Sequence, residues 1–489
     1  MIGCIEKITC EVQHSMKRYE LLADEIASSI QSGVLARGDK LPSVRQASVS
    51  RQVSPATVFQ AYYLLEARGL IVARARSGYF VNAGPINLPS TPAPVLDDEI
   101  TLTEVDVSHL VFEVLESTRN KAVVPLGSAF PSPLLFPLAR LSRMMTAAMQ
   151  EADPWSSLDN ISAGDAELRR QIAMRYLIDG LHVHADEIVI TNGALEALNL
   201  CLMTVTRPGD TILIESPTFY AALQSIERIG LKAIEVPSHP KNGIDLGAME
   251  QAIVMHQPKA CWLMTNFQNP LGSLLANDKK QALVEILAKY QIPLIEDDVY
   301  GELYFGERRP APAKAFDHAG LVMHCGSFSK SLAPGYRVGW VVAGKFVKQV
   351  ERLKLTTTIS ASVPAQVALA KYLQKGGYDK HLRQLRNVLM VNQIKFVEAL
   401  ERYFPQGTHL TVPQGGYFLW VKLPDGINAL TLYRQALKSG ISIAPGPIFS
   451  AQQRFQGFIR LNYGHIWNDK IENALVTLGQ LIQSQQVSK

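Results

Sequence analysis

The stretch LVMHCGSFSKSLAPGYRVGW, Leu321 to Trp340, decides how this chain is interpreted. It begins with an apolar run from Leu321 to Cys325, and its end enters a second apolar run, Val338 to Val342, so both are predicted to be buried strands. Lys330 lies between them, and a lysine between two buried strands is costly unless its amine has a task. In a partly dry pocket the amine has a lowered pKa, which makes it a nucleophile toward an aldehyde at neutral pH.

A second side chain in this stretch can bind another group of the ligand whose aldehyde the lysine would attack. Arg337 stands at the start of the return strand, where its guanidinium can hold a phosphate through charge-assisted hydrogen bonds. An aldehyde and a phosphate together describe pyridoxal 5'-phosphate (PLP). The competing interpretation is a surface turn with one solvated lysine, and the motif SFSK alone is too short to decide between the two.

The composition narrows the class of protein. The 489 residues, 47% hydrophobic and 19% charged, are typical of a globular protein with two or three domains. The five cysteines form no CxxC pair, so neither a disulfide framework nor a zinc site is predicted. No apolar run reaches the ~18 residues of a membrane span, and the N-terminus has no apolar signal core. We expect a soluble, cytoplasmic protein whose translation starts at Met1 or Met16.

Residues 16–82, which we call the head, carry the pattern of three helices and a hairpin. An apolar stripe with helical spacing runs from Tyr19 to Ile30, Ser43 is placed to cap a short second helix, and Ser54 is placed to cap a third. The segment LIVARARSGYFV then alternates apolar and basic residues around a turn at Ser77-Gly78. Three helices followed by a basic hairpin are typical of a winged helix-turn-helix.

The head also holds the basic excess of the chain. From Met16 to Val81 there are nine Lys and Arg against five Asp and Glu, as expected where a polyanion is bound, although a solvated surface gives the same count. The third helix would read base edges in the major groove, while the second helix and the hairpin would hold phosphates. The predicted DNA-contacting residues are Arg45, Ser54, Ala56, Thr57, Gln60, Arg74, Arg76 and Gly78.

The segments GDKLPSVRQ, SPATV, AYYLLEARGL and RSGYFV resemble the GntR family of winged-helix repressors over about residues 18–82. Arg51, which we place on the inward side of the second helix, stands where that family usually buries a Leu, and Gln52 stands where it usually has a Gly. A linker is predicted at about residues 83–107, because four prolines between positions 85 and 94 prevent both a strand and a helix.

Residues 108–489 alternate strand-length apolar runs with helical stretches, which predicts a mostly parallel sheet covered on both faces. Ligands of such sheets bind at the carboxyl ends of the strands. There, Asn192-Gly193-Ala194 leads into a helix start that suits a phosphate, and the segment EDDVYGE places Asp297 and Tyr300 after a buried strand. Arg460 interrupts another apolar strand and needs an anion, either a substrate carboxylate or a structural Asp or Glu.

The order NGALEAL, SPTFY, NPLG, EDDVY, SFSK with Arg337, and IRLN resembles the fold-type I aminotransferases of class I/II. Together with the GntR-like head, the chain from 18 to 485 resembles a MocR-type regulator. The resemblance implies a PLP-dependent-transferase fold with large and small subdomains, and a homodimer with its sites at the subunit interface. It also implies that Lys330 forms a Schiff base with PLP and that Asp297, rather than Asp298, pairs with the pyridine nitrogen. The other implied contacts are Tyr300 and Asn269 at the phenolic oxygen, Phe219 stacked on the ring, Gly193, Ala194, Ser327 and Arg337 at the phosphate, and Arg460 on an amino-acid carboxylate.

From these features we predict a DNA-binding transcriptional regulator that binds PLP through Lys330 and senses PLP or its adduct with an amine or amino acid. Its partners would be double-stranded DNA, a small amino-acid or amine effector and a second copy of the chain, with no membrane. The alternative is an active PLP-dependent aminotransferase with an accessory DNA-binding head, in which Lys330 also moves the substrate proton. The regulator is favoured because an enzyme has no evident need for a groove-reading head.

Overall fold

A computed structural model describes residues 18–31, 33–67, 70–74, 77–82, 102–117, 120, 122–151, 153–155, 158 and 161–487. These residues divide into two compact units, a smaller one at the N-terminus and a larger one that holds nearly all residues from 89 onward. Within the described ranges, every helix is too short or too polar for a bilayer span. The same ranges hold no group of three or more His, Cys, Asp or Glu side chains arranged to bind a metal ion.

The N-terminal unit is a winged helix-turn-helix, as predicted. Its helices are α1 (Arg18–Gln31), α2 (Val44–Ser50) and α3 (Pro55–Ala67), and its wing pairs β1 (Ile71–Arg74) with β2 (Gly78–Val81) in antiparallel register. The apolar stripes of α1 and α3 meet in one core, in which Ala23, Val58 and Leu65 are fully buried. Burial of these stripes is what stabilises helices that are short in isolation.

The start and the end of α2 follow from local sequence. The Ser43 hydroxyl accepts the Gln46 N–H at 3.3 Å, and Gln46 Oε1 accepts the Ser43 N–H at 3.0 Å, which forms a capping box. The predicted inward position of Arg51 is wrong: its side chain is exposed just after α2 and pairs with Glu25 at 2.7 Å, because a guanidinium stays solvated or paired. Gln52 takes a φ of +51°, the left-handed conformation that glycine adopts at least cost.

The predicted linker is described only in part. Met16 and residues 83–101 lie outside the described residues. The last part of the predicted linker belongs to the larger unit, since β3 (Leu102–Glu104) pairs antiparallel with β7 (Lys232–His239). The helix α4 (Ser108–Ser117) follows.

The larger unit is built on a nine-stranded, mostly parallel sheet. Besides β3 and β7 its strands are β5 (Ile188–Thr191), β6 (Thr211–Ser216), β8 (Gly243–Ile244), β9 (Ala260–Leu263), β10 (Leu294–Asp297), β11 (Val322–Ser327) and β12 (Gly339–Val342). They lie in the order β3-β7-β6-β9-β10-β11-β12-β5, with β8 beside β7. In this order all pairs from β7 to β11 are parallel, whereas β8 is antiparallel to β7 and β12 is antiparallel to both of its neighbours. β5 therefore runs in the same direction as β10 and β11, and their carboxyl ends meet at one edge.

Helices pack against this sheet, and residues of some of them form two apolar cores with it. They are α5 (Leu138–Gln150), α6 (Ala166–Ile178), α7 (Ala194–Val205), α8 (Tyr220–Ile229), α9 (Leu246–His256), α10 (Asn277–Lys289), α11 (Val347–Thr357) and α12 (Val363–Gln374). The strands are buried on both faces, which is why they appear in the sequence as continuous apolar runs.

A smaller subdomain completes the unit. Its antiparallel sheet has the order β13-β14-β17-β16, formed by β13 (His409–Leu410), β14 (Phe418–Lys422), β16 (Ala444–Pro445) and β17 (Phe458–Asn462). A separate parallel pair joins β4 (Val124–Pro125) to β15 (Ile441–Ser442). The helices of this part are α13 (Tyr378–Tyr403), α14 (Ala429–Lys438) and α15 (Asp469–Val487).

Candidate functional site

A cavity with about 620 Å³ of space lies at the carboxyl ends of β5, β10 and β11. Its wall contains seven of the predicted PLP-binding residues: Ala194, Phe219, Asp297, Tyr300, Ser327, Lys330 and Arg337. Seven further residues complete the wall: Phe130, Leu195, Leu198, Ala221, Met264, Val299 and Ser329. Parallel strands explain the convergence, because residues far apart in sequence follow neighbouring strand ends. Gly193, Asn269 and Arg460 are not part of the wall.

Lys330 reaches this cavity from the turn between β11 and β12. Its Nζ donates a hydrogen bond to the Ala129 carbonyl at 2.8 Å and lies 3.7 Å from the centre of the Phe130 ring. Burial, together with the positive charges of Arg460 and Arg337, lowers the pKa of the amine to about 7. A large fraction of the amine is therefore neutral near pH 7, as a nucleophile requires.

The neighbouring carboxylates Asp297 and Asp298 differ in their bonding. Asp297 ends β10 and is 1% exposed, and its Oδ1 has no hydrogen-bond partner among the described residues. Burial, aided by the charge of Asp298, raises the pKa of Asp297 to about 7. Asp298 instead accepts hydrogen bonds from Arg309 at 2.8 Å, His324 at 3.1 Å and Asn266 at 3.0 Å. Asp297 is thus the carboxylate with a free oxygen beside the cavity.

A buried chain of hydrogen bonds supports Asp298, and sequence reasoning missed it. Trp340 Nε1–H donates to the Tyr176 oxygen at 2.9 Å, and the Tyr176 hydroxyl lies 2.7 Å from His324 Nδ1. All groups are satisfied when Tyr176 donates to Nδ1 and His324 Nε2–H donates to Asp298. The one signal in the sequence was His324 itself, a titratable residue inside an apolar strand.

Polar groups converge at the start of α7. Gly193 precedes this helix with φ of +83°, and a Cβ there would overlap the Arg337 guanidinium, so only glycine lets the arginine approach so closely. Arg337 Nη1 donates to Ser329 Oγ at 3.0 Å, and Ser327 Oγ accepts the Ser329 N–H at 3.0 Å. A helix start, two hydroxyls and a guanidinium are a donor set suited to a phosphate. Ser329 was not among the predicted residues.

Arg460 is fully buried on β17. Its Nη1 donates to Asn269 Oδ1 at 2.9 Å and its Nη2 to the Gly127 carbonyl at 2.7 Å, while its Nε and the Asn269 Nδ2 have no partner. Burial lowers the pKa of the guanidinium, and no carboxylate of the described residues forms an ion pair with it. The structural Asp or Glu that the sequence left open for Arg460 is thus not found among the described residues.

In the head, the predicted DNA-contacting residues at the start of α3 are either exposed or engaged in the helix cap. Ala56 and Gln60 are exposed. The hydroxyl of Ser54 caps the helix, accepting the Thr57 N–H at 3.1 Å and lying 2.8 Å from Thr57 Oγ1. The hydroxyls of Ser54 and Thr57 are therefore occupied with each other in the absence of DNA.

The remaining predicted DNA contacts lie in α2 and the wing. Arg45 on α2 and Gly78 at the start of β2 are exposed. Arg74 pairs through its backbone with Gly78. Arg76 lies outside the described residues. The contacts of all these residues with DNA stay predictions.

Replacement of Asp297 by Asn tests its buried charge. The folded pKa of about 7 exceeds the ordinary value of 3.8, so between these pH values the folded state keeps a proton that the unfolded state has released. Stability of the cofactor-free protein therefore falls as pH rises through this window, by about 4 kcal/mol at about 1.4 kcal/mol per pKa unit. Asp297→Asn should remove this loss, giving a higher urea midpoint than wild type at pH 8 and a similar one at pH 4.

Asp298→Asn is the matched control. It leaves the buried Arg309 without its 2.8 Å partner and should lower the urea midpoint at pH 8. Equal pH dependence in wild type and Asp297→Asn would contradict the assignment of the buried charge to Asp297.

Comparisons with known proteins agree with this geometry. Residues 18–81 match the gntR family of bacterial regulatory proteins, and residues 141–478 match the family of class I and II aminotransferases. The chain is 47% identical to the uncharacterized HTH-type transcriptional regulator YdcR of Escherichia coli K12, over 96% of this chain and 100% of that protein.

Solved aminotransferase structures share the fold of the larger unit. The multiple substrate aminotransferase of Thermococcus profundus has a TM-score of 0.71 and 28% identity, covering 78% of this chain and 96% of that one. LysN, the alpha-aminoadipate aminotransferase of Thermus thermophilus, complexed with N-(5'-phosphopyridoxyl)-L-leucine, has the same TM-score of 0.71 and 28% identity, covering 78% and 95%. With both domains matched in this order, the chain belongs to the MocR-type regulators of the GntR family, which join a winged helix-turn-helix to a class I/II aminotransferase domain.

Proposed function

We propose that this protein is a DNA-binding transcriptional regulator that binds PLP through Lys330 and senses PLP or its adduct with an amine or amino acid. The observation that carries the proposal is the union, in one chain, of a GntR head with a cavity that holds a lysine amine of pKa about 7. The phosphopyridoxyl-leucine bound to LysN, which has the same fold, supports a cofactor–amino-acid adduct as the ligand.

The bonding groups of the site fit the cofactor, and two of them, Asp297 Oδ1 and Asn269 Nδ2, have no partner among the described residues. Asp297 Oδ1 would accept from the protonated pyridine nitrogen, and Asn269 Nδ2 and the Tyr300 hydroxyl would bind the phenolic oxygen. Phe219 would stack on the ring. The phosphate would lie against Gly193, Ala194, Ser327 and Arg337. When bound, PLP supplies an aldehyde that exchanges between amines and a ring that withdraws electrons.

Three side chains of the protein, Lys330, Asp297 and Arg460, would control this exchange between amines. Lys330 attacks only as the neutral amine, which its lowered pKa provides near pH 7. Asp297, ionised opposite a ring N–H, would keep the nitrogen protonated because the buried pair has no competing donor on Oδ1. Arg460 would hold the effector carboxylate, and the Lys330 amine, when it is not bound to the cofactor, would lie against the Ala129 carbonyl and the Phe130 ring.

An apolar surface beside the cavity supports a homodimer. Phe130 and Leu195 line the cavity and remain 48% and 44% exposed. The Thr358 hydroxyl bonds Glu196, the neighbour of Leu195, so the segment with Thr358 and Ile359 lies beside the cavity. Ile359 is 56% exposed, and its carbonyl accepts the Ser162 N–H at 3.2 Å. The exposed apolar surface therefore continues past the cavity. A second copy of the chain would cover it, as exposed patches of this kind mark interfaces.

The test is DNA affinity of the full-length protein, measured by fluorescence anisotropy on duplexes enriched from a randomised pool. Adding PLP, and then a panel of amino acids, should change the Kd about tenfold, equivalent to a coupling energy of about 1.4 kcal/mol. The alternative, an active aminotransferase, is supported by the seven predicted cofactor-binding residues that line one cavity. It predicts turnover of amino and keto acids with an unchanged Kd for DNA, and that result would overturn the regulator.

A further inference from the structure

The helix α3 carries an exposed face that is largely apolar. Phe59 is 54% exposed and Tyr63 is 67% exposed, one turn apart, with Ala56 and Gln60 exposed between and beside them. The opposite side of the helix is the buried core stripe of Val58, Ala61, Tyr62 and Leu65. An aromatic pair on the solvent side is unusual for a small soluble domain, which places polar residues there.

The chemistry of the head indicates what covers this face. Its excess of positive charge, nine Lys and Arg against five Asp and Glu, selects a polyanion. α3 is the second helix of the helix-turn-helix, which lies in the major groove. The apolar group that DNA presents in that groove is the C5-methyl group of thymine, and Phe is one of the side chains that contact it.

The hydrogen bonds of neighbouring polar side chains limit which residues of α3 can contact base edges. The Ser54 and Thr57 hydroxyls are engaged in the helix cap, so the groups free to meet base edges on these turns are Ala56, Phe59 and Gln60. A Gln side chain matches the adenine N6/N7 edge with one donor and one acceptor. Phe59 and Gln60 are adjacent, which places their contacts on one base pair or on two consecutive pairs.

We propose that Phe59 is a specificity-determining residue that packs on a thymine methyl group, while Gln60 reads the adenine edge beside it. Each DNA half-site then contains an A·T pair under the second turn of α3. The inference rests on the proposed DNA-binding function and deepens it, since it names the base that the head recognises.

The experiment begins with enrichment of sites from a randomised duplex pool by the full-length protein. Wild type should enrich an A·T pair at a fixed position in each half-site. Replacing that thymine by uracil, which removes only the methyl group, should weaken wild-type binding about fourfold, the value of one buried methyl group. Phe59→Ala should bind the thymine and uracil duplexes equally, and Phe59→Leu should restore part of the discrimination.

Val34→Ala is the matched control, because Val34 is an apolar residue of the head that is 76% exposed and not on α3. This variant should keep the fourfold discrimination. Unchanged wild-type affinity after uracil replaces every thymine of the enriched site, or discrimination that persists in Phe59→Ala, would overturn this inference alone. Failure of wild type to enrich any site would overturn the DNA-binding function itself.

Discussion

Replacing Lys330 by alanine should abolish covalent attachment of PLP. Among the described residues the amine is the one lysine nitrogen in the wall of the cavity, and its pKa of about 7 leaves it nucleophilic at neutral pH. Wild type should gain visible absorbance with PLP, and borohydride reduction should leave a stable adduct on the peptide from Ser327 to Arg337, detected by mass spectrometry. The Lys330→Ala protein should show neither signal, because no other residue of the wall carries an amine.

Two controls make this result specific. Lys330→Arg keeps the positive charge but cannot lose a proton, so it should also fail to form the adduct while retaining the fold. Lys280 is a second buried lysine, with a pKa lowered by burial to about 8, but it donates to Asn266 at 2.6 Å and to the Ala311 carbonyl at 2.7 Å, away from the cavity wall. An adduct on the peptide that carries Lys280, or one that survives in Lys330→Ala, would show that the wrong amine had been assigned.

The sequence located the cavity because its residues follow strand ends. Apolar runs of strand length predicted β5, β10 and β11, and parallel order brings whatever follows such strands to one edge. Lys330 and Asp297 could therefore be placed together without knowing the pairing of the strands. The distinction between Asp297 and Asp298 came from resemblance alone, and the hydrogen bonds of Asp298 to Arg309 and His324 now give it a physical reason.

Other features of the site and the head arise from packing between segments that are distant in the chain. No local sequence pattern predicted them. The bond between Tyr176 and His324 joins residues 148 positions apart and exists only because α6 packs on the sheet. Arg51 was placed inward from its helical position, yet its contact with Glu25, 26 residues earlier, keeps it at the surface. Ser329 lay inside the motif SFSK but had no role in the sequence argument until Arg337 was seen to bond it.

Replacing Arg460 by lysine should separate amino acids from simple amines as effectors. The guanidinium is buried without a carboxylate partner, so an effector carboxylate would remove the cost of its isolated charge. Lysine keeps the charge but lacks the planar fork that holds a carboxylate with two parallel bonds. In the PLP-loaded protein, the amino-acid concentration that shifts the visible spectrum should rise about 100-fold, within the 2–5 kcal/mol range for a broken buried charge pair.

The matched ligand for this variant is the amine that corresponds to each amino acid without its carboxylate. This amine should act equally on wild type and Arg460→Lys, because it never meets the guanidinium. Asn269→Ala provides a second comparison, since it removes the 2.9 Å bond to Arg460 Nη1 but leaves the charge. Because Asn269 is also placed at the phenolic oxygen, the amino acid is compared with its amine in the same variant, and the ratio of their effective concentrations should change less than in Arg460→Lys. If amino acids and their amines act at equal concentrations on wild type, Arg460 has no carboxylate to hold, and the effector must be sought among amines.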